Sequence, residues 1–403
     1  LDPYAAFRSR DFRLLLAGSF LTNFGLQMVS VAVSWDLYVA TRSALVLGNV
    51  GFVQVAPFLL FAFFAGHVAD RYDRRRILIF SQFALLASSA ILVLSTRSVA
   101  VIYGCLFLTA MARAFQWPAR GAILPQLVSA AALTNAIAWN SSTQEIASVS
   151  GPAAAGLLIA ASGSKSVYLL QCACAVAGLA CFQFLRLRLE GAAPESAPRE
   201  PGAKDRRALL EGFHFVWQNK LILSAMSLDL FAVLFGGATA LLPIFAVDIV
   251  HTGARGLGWL RAAPALGAVC MALLLAHAPR IHRAGSALLL AVAGFGVATI
   301  VFGLSRSLWL SFGMLLLVGA FDNVSVVLRQ SLIQTQTPNR VRGRVLAINS
   351  IFITCSNQLG AVESGWTAAW WGAVGSVVLG GAATLAIVAG FLSVSNGLRR
   401  WRQ

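Results

Sequence analysis

The sequence predicts an all-α membrane protein: twelve transmembrane helices in two pseudo-symmetric six-helix bundles. Three observations carry that reading. Of 403 residues, 58% are hydrophobic and only 11% charged, whereas a soluble globular chain carries about 25% charged residues. The mean hydropathy is +0.76. Apolar runs long enough to span a bilayer recur along the chain, and a helix needs ~20 such residues because lipid offers no partners to backbone N–H and C=O groups.

Taken in order, the runs fall near 12–39, 45–68, 77–95, 99–117, 135–161 and 167–186, then 221–247, 256–277, 286–304, 308–328, 345–363 and 372–394. The first is expected to be a retained span, since it is too long for the apolar core of a signal peptide. Between the sixth and seventh lies "RLRLEGAAPESAPREPGAKDRR", rich in Pro, Gly and charge, which favours irregular chain. Next comes "ALLEGFHFVWQNK", with apolar residues at helical spacing, expected as an amphipathic helix on the inner membrane surface that covers the bundles. The expected organisation is a first bundle over 1–188, a cytoplasmic linker over 189–219 and a second bundle over 220–403.

The basic residues set the orientation. Most of the 31 lysines and arginines fall in the loops that share a side with the N-terminus. By the positive-inside rule both termini are then cytoplasmic. On that count Arg120 and Arg329 belong to inner loops, and Arg113 and Arg261 stay inside helices. The net charge of +16 is thereby a topology signal. A nucleic-acid surface would gather its arginines with aromatic platforms, and these are scattered over short loops.

No cofactor or metal is expected. The six cysteines all lie in predicted spans without paired ligand spacing, and the five histidines are scattered. The chain has no phosphate-binding loop, His-rich helix pair or dinucleotide fingerprint, which argues against an enzyme.

The halves read as degenerate copies. "FG" at 24 and 25 precedes Asp36, Thr41, Gly51, Pro57 and Asp70, and "FG" at 235 and 236 precedes Asp248, Thr252, Gly258, Pro264 and His277 at nearly equal spacing. A parallel repeat gives bundles related by an axis along the membrane normal, with a solute cavity between them.

Particular motifs then carry a family resemblance. "GHVADRYDRRR" resembles the loop between helices two and three of the major facilitator superfamily, with Gly66, Asp70, Arg71, Arg74 and Arg75 on matching positions and Asp73 where that motif has glycine. "SGPAAAG", with Gly151, Pro152 and Gly156, resembles the superfamily's antiporter motif, and Arg113 its helix-four arginine. "WPARGAILPQLV" and "PNRVRGRVLAI" resemble the branch that includes the enterobactin exporter and related effluxers.

The resemblance implies secondary active transport by alternating access, with export of a drug, siderophore or metabolite driven by protons. A non-transporting receptor, or a lipid-handling protein on the same fold, is the alternative. It implies a cytoplasmic latch made by the loop motif and a cavity lined by spans one, four, seven and ten. Asn23, Gln27, Gln116 and Asn323 are then candidates to touch solute. Proline removes a backbone donor and glycine removes bulk, so Gly151, Pro152 and Gly156 should give a bend and a tight helix contact.

The coupling chemistry is expected at ionisable groups inside spans, which are costly in hydrocarbon. These are Arg113, Glu145, Asp229, Asp322 and Glu363. Burial favours the neutral carboxylic acid and a nearby arginine favours the carboxylate, so a carboxyl between the two is poised to load and release a proton. Glu145 with Arg113 is the leading pair, on sequential antiparallel helices at comparable depth. The expected partners are a small solute, protons and the bilayer. The expected setting is a monomer in a bacterial plasma (inner) membrane.

Overall fold

The computed structural model describes residues 4–94, 98–185, 203–277, 282–394 and 401. Among them every regular element is helical: α1 (Arg10–Thr41), α2 (Ala44–Arg71), α3 (Arg74–Leu94), α4 (Val99–Leu127), α5 (Leu133–Ser162), α6 (Ser164–Gln183), α7 (Ala203–Gln218), α8 (Lys220–Gly236), α9 (Gly253–His277), α10 (Ala284–Leu304), α11 (Leu308–Gln336) and α12 (Asn339–Val394), with short 3₁₀ and π turns between. Among the described residues, eleven helical stretches are long and apolar enough to cross a membrane. The last of them covers 54 residues, about 80 Å of helix at 1.5 Å per residue against a hydrocarbon core of about 30 Å. It is two passes. Gly372, at φ 75° and ψ 163°, breaks the helix between them, in a region open essentially only to glycine. That restores the twelve expected spans.

The helices start and stop where local chemistry says they should. Ser9 accepts a hydrogen bond from the Phe12 N–H at the start of α1, and the Asn219 side chain accepts from Leu221 and Ile222 at the start of α8. Arg42 at φ 51° and Gly163 at φ 81° close α1 and α5. Beyond α8 the backbone tightens to 3₁₀ at Ala238–Leu241 and widens to a π turn at Phe245–Ile249.

Two spans run further than the charge pattern suggests. Helix α4 continues ten residues past the expected end, through Pro118 and Pro125, and α11 continues to Gln336. Arg120 and Arg329 therefore sit in helices, not in inner loops. A charge near the end of an apolar run looks like a boundary, but a helix carries it onward wherever its side chain finds shelter.

The chain forms two compact units, residues 1–191 with 243–262, and residues 192–242 with 263–403. In the first, Phe12, Leu15, Leu78, Ile123 and Phe182 make a dry core cluster. Inside the helices a polar thread accompanies it: Thr22 donates to the Gln82 side-chain oxygen at 3.2 Å, Gln116 donates to the same oxygen at 3.4 Å, and Gln82 donates to the Ala175 carbonyl at 3.2 Å. In the second, Ile222, Met226, Leu288, Leu332 and Val345 form the corresponding core. Helix α7 joins that core through buried Val216, and its Glu211 pairs with Arg340 at 2.6 Å and with Arg344.

Candidate functional site

In the second unit the site is built by α8 and α11. Asp229, on α8, forms an ion pair with Arg329 of α11, their side chains 8% and 2% exposed. Ser325, one turn before Arg329, donates to Asp229 at 3.2 Å. Asp322 lies one turn earlier still. Positions three and seven residues apart share a helix face, and that face of α11 carries Asp322, Ser325 and Arg329. Asp229, Asp322 and Arg329 line one cavity of about 200 Å³ together with Thr239, Phe295 and Asn357. Asp322 has no counter-charge among the described residues. The neighbouring Asn323 side-chain oxygen is buried without a partner. Glu363 stands apart, next to the Ser364 hydroxyl near the Gly372 break, and does not line this cavity.

The first unit places its candidates differently. Glu145 is exposed on α5, and among the described residues no ion pair joins it to Arg113. The expected Arg113–Glu145 pair does not form here: sequential helices put two residues at one depth, but rotation about each helix axis decides whether they meet. Gln116 is 5% exposed and donates to the Gln82 side chain at 3.4 Å. Gln27 donates to Ser148 of α5 at 3.1 Å. Asn23 keeps a buried, unpartnered amide nitrogen. Asp36 accepts from Ser164 at 2.5 Å and Tyr168 at 2.8 Å, and Asp248 accepts from Tyr38 and pairs with Arg42 at 2.8 Å.

The glycine–proline motif of α5 packs on two sides. A Cβ at Gly151 would lie 2.7 Å from the Gln27 Cβ and 3.0 Å from the Phe24 carbonyl oxygen of α1, and one at Gly156 would lie 2.7 Å from the Gly258 Cα. Pro152 is buried between them, and its carbonyl oxygen would lie 2.8 Å from a Cβ on Gly258.

Of the loop motif, the side chains of Gly66 and Asp70 lie outside the described residues. Arg74 donates to the Ala122 carbonyl at 3.3 Å, and Arg75 donates to the carbonyls of Phe182 at 3.2 Å and of Gln183. These two arginines thus tie the start of α3 to the ends of α4 and α6 within their own unit. Arg71 is exposed. Asp73, where the motif has glycine, accepts from the Arg75 N–H at 2.9 Å and so caps α3.

Comparison with known proteins settles the family. A family model described as transmembrane secretion effector matches residues 1–403. The chain belongs to that family, a branch of the major facilitator superfamily. It is 28% identical to the enterobactin exporter EntS of Shigella boydii serotype 4, over 97% of this chain and 93% of the relative, and equally to that of Escherichia coli O1:K1. Among solved structures it is similar to a bacterial homolog of the human lysosomal transporter Spinster, with TM-score 0.73, 15% identity and coverage of 99% and 97%. A POT family transporter in complex with a thioalcohol-conjugated peptide gives TM-score 0.77 at 12% identity, covering 97% of each chain. At such identity these structures speak to the fold alone. The chain is a multi-pass membrane transporter, not an enzyme.

Two site residues escaped the sequence reading, Arg329 and Ser325. The signal was present: Asp322, Ser325 and Arg329 recur at three and seven residues, the spacing of one helix face. It is hidden because Arg329 closes the apolar run and so looks like a loop residue, while α11 continues to Gln336.

Proposed function

We propose that this transporter exports a small organic molecule by alternating access in exchange for protons. It works as a monomer in a bacterial inner membrane with both termini cytoplasmic. The observation that carries the coupling is the cavity of the second unit, where an ion-paired carboxylate and an unpaired one share a single wall, Asp229 with Arg329 and Asp322 alone. Two acids competing for one arginine give the cavity two charge arrangements. A proton on Asp229 frees Arg329 to turn toward Asp322, and loss of that proton restores the original pair. Such a bistable element is what a proton must bias to drive a conformational cycle. The exporter relatives support outward movement of solute.

The test uses the full chain in proteoliposomes, with solutes first selected by thermal stabilisation. Asp322→Asn should abolish accumulation driven by an imposed pH gradient while exchange across an equilibrated membrane persists, because exchange needs cycling but no net proton transfer. Glu145→Gln, assayed in parallel, should retain gradient-driven accumulation. The reverse outcome moves the coupling carboxyl to α5, and loss of neither function removes proton exchange as the energy source.

A further inference from the structure

Helix α7 carries three strips along its length. Gly212 and Val216 face the second unit: a Cβ at Gly212 would lie 2.9 Å from the Arg344 Cβ, and Val216 is 2% exposed in the core cluster. His214 and Gln218 form another strip, their side chains bonded to each other at 2.7 Å. Between these two run Phe213 and Trp217, four residues apart and so on one side of the helix. Their rings stack with centroids 5.9 Å apart, yet they are 47% and 65% exposed. The helix builds an aromatic surface and leaves it uncovered.

Position and charge say what covers it. Trp217 stands three residues before Lys220, where the span Lys220–Ile249 begins, and three residues reach at most about 10 Å. The indole is thereby within reach of the headgroup layer, about 5–8 Å deep on each face of a bilayer. Residues 203–220 include four basic positions, Lys204, Arg206, Arg207 and Lys220, against two acidic ones, Asp205 and Glu211. Glu211 is engaged by Arg340 and Arg344 of α12. Arg206 precedes Phe213 by seven residues, which is the register of one helix side, and Lys220 is exposed just past the helix end. Interfacial aromatic residues with cations at both ends match an anionic headgroup layer. Two rings are too little for a protein partner, since a stable protein interface buries about 800 Å² per side.

We propose that the Phe213–Trp217 side of α7 is a docking surface for anionic phospholipid headgroups, in the leaflet where this span begins. The rings settle among the glycerol and upper acyl groups, and the basic residues at either end hold the phosphates by charge-assisted hydrogen bonds. The neighbouring strip packs Gly212 on Arg344 and Ile348, and Glu211 reaches Arg340. Bound lipid therefore also steadies the start of α12. The proposal needs only a membrane-spanning chain and is independent of solute, direction and coupling.

The test places the purified full chain in nanodiscs with equal mole fractions of phosphatidylcholine and phosphatidylglycerol. One or the other lipid is brominated in its upper acyl chain as a contact quencher. The difference in tryptophan emission between the parental chain and Trp217→Phe isolates the signal of Trp217. Brominated phosphatidylglycerol should quench that signal at least about twofold more than brominated phosphatidylcholine, since one basic residue near an anionic surface is alone worth about fivefold in binding. Phosphatidylglycerol should also raise the thermal midpoint by mass action. The quenching ratio should fall toward one when Arg206→Gln, Arg207→Gln and Lys220→Gln are combined, and again at about 1 M salt, where the Debye length shrinks to about 3 Å. Arg306→Gln, in the turn between α10 and α11, should leave the ratio unchanged. Where the triple variant does not fold, the salt series on the parental chain carries the test. Equal quenching by the two lipids would make the strip an ordinary lipid contact, and quenching by neither would place it in water or against protein. Loss of the preference on adding soluble glycerol 3-phosphate would make the basic residues a free-phosphate site. Each of these outcomes overturns the proposal, as does a preference that survives high salt.

Discussion

Asp229 and Arg329 show how a single pair of side chains can be both a structural liability and a working part. Neither is tolerable alone in an apolar interior, and removing one partner of a buried pair costs about 3–5 kcal/mol because the other is left uncompensated. Asp229→Leu and Arg329→Met should therefore each lower the thermal midpoint of the purified protein substantially. The double substitution should recover most of that loss, since well-packed apolar residues replace a buried pair at little cost. It should nevertheless be inactive in gradient-driven transport, which separates the role of the pair in stability from its role in coupling. At this scale the sequence was only partly legible. It exposed Asp229, Asp322 and Glu145 as charges in apolar runs, but it could not say which way a helix is rotated. Gln116 turned inward to the Gln82 thread, and Glu145 turned away from Arg113, for reasons that lie in packing against neighbours.

Among the elements, α12 and α7 make the clearest statements. The φ of 75° at Gly372 lies beside open space, with nothing within 4 Å of an added Cβ, so any effect of Gly372→Ala comes from the backbone itself. A strained residue there costs about 1–3 kcal/mol. The variant should lower the thermal midpoint and, where the turn straightens, the yield of monodisperse protein in size-exclusion chromatography. Helix α7 is held differently. Glu211 reaches two arginines of α12 from a half-exposed position, and exposed ion pairs contribute about 0–1 kcal/mol. Glu211→Gln should therefore leave the thermal midpoint nearly unchanged, while Val216→Asp, at a position 2% exposed in the core cluster, should be strongly destabilising. The amphipathic pattern of this helix was readable in advance because Val216 and Phe213 recur at helical spacing.

For the molecule as a whole, composition and the spacing of apolar runs carried the most information, because a bilayer imposes one length on every span. Twelve spans followed from that constraint, and the break at Gly372 that divides the last 54-residue stretch was marked by the gap between 363 and 372. What stays hidden is the extent of α4 and α11, because an arginine near the end of an apolar run looks like the edge of the membrane. Orientation is open to direct measurement. In a variant whose six cysteines are replaced, single cysteines at Ser162 and Ser307 should react with a membrane-impermeant maleimide in intact cells. Cysteines at Tyr72 and Ser129 should react only after permeabilisation. The opposite pattern would invert the topology and, with it, the direction assigned to transport.

The Gly372 turn also bears on how the chain is made. From Ser364 to Leu398 the sequence contains no acidic or basic residue, so after Glu363 the chain reverses and makes its last pass with no charged signpost at the turn. What marks the reversal is the glycine and, just before it, Trp366, Trp370 and Trp371, all exposed and of the kind that settles at the headgroup level. By the positive-inside rule the arginines at 340, 342 and 344, before the two passes, and those at 399, 400 and 402, after them, are expected on one side. Reversal of this terminal hairpin is thereby expected to rest on a backbone turn and an aromatic anchor, and not on charged residues between its two passes.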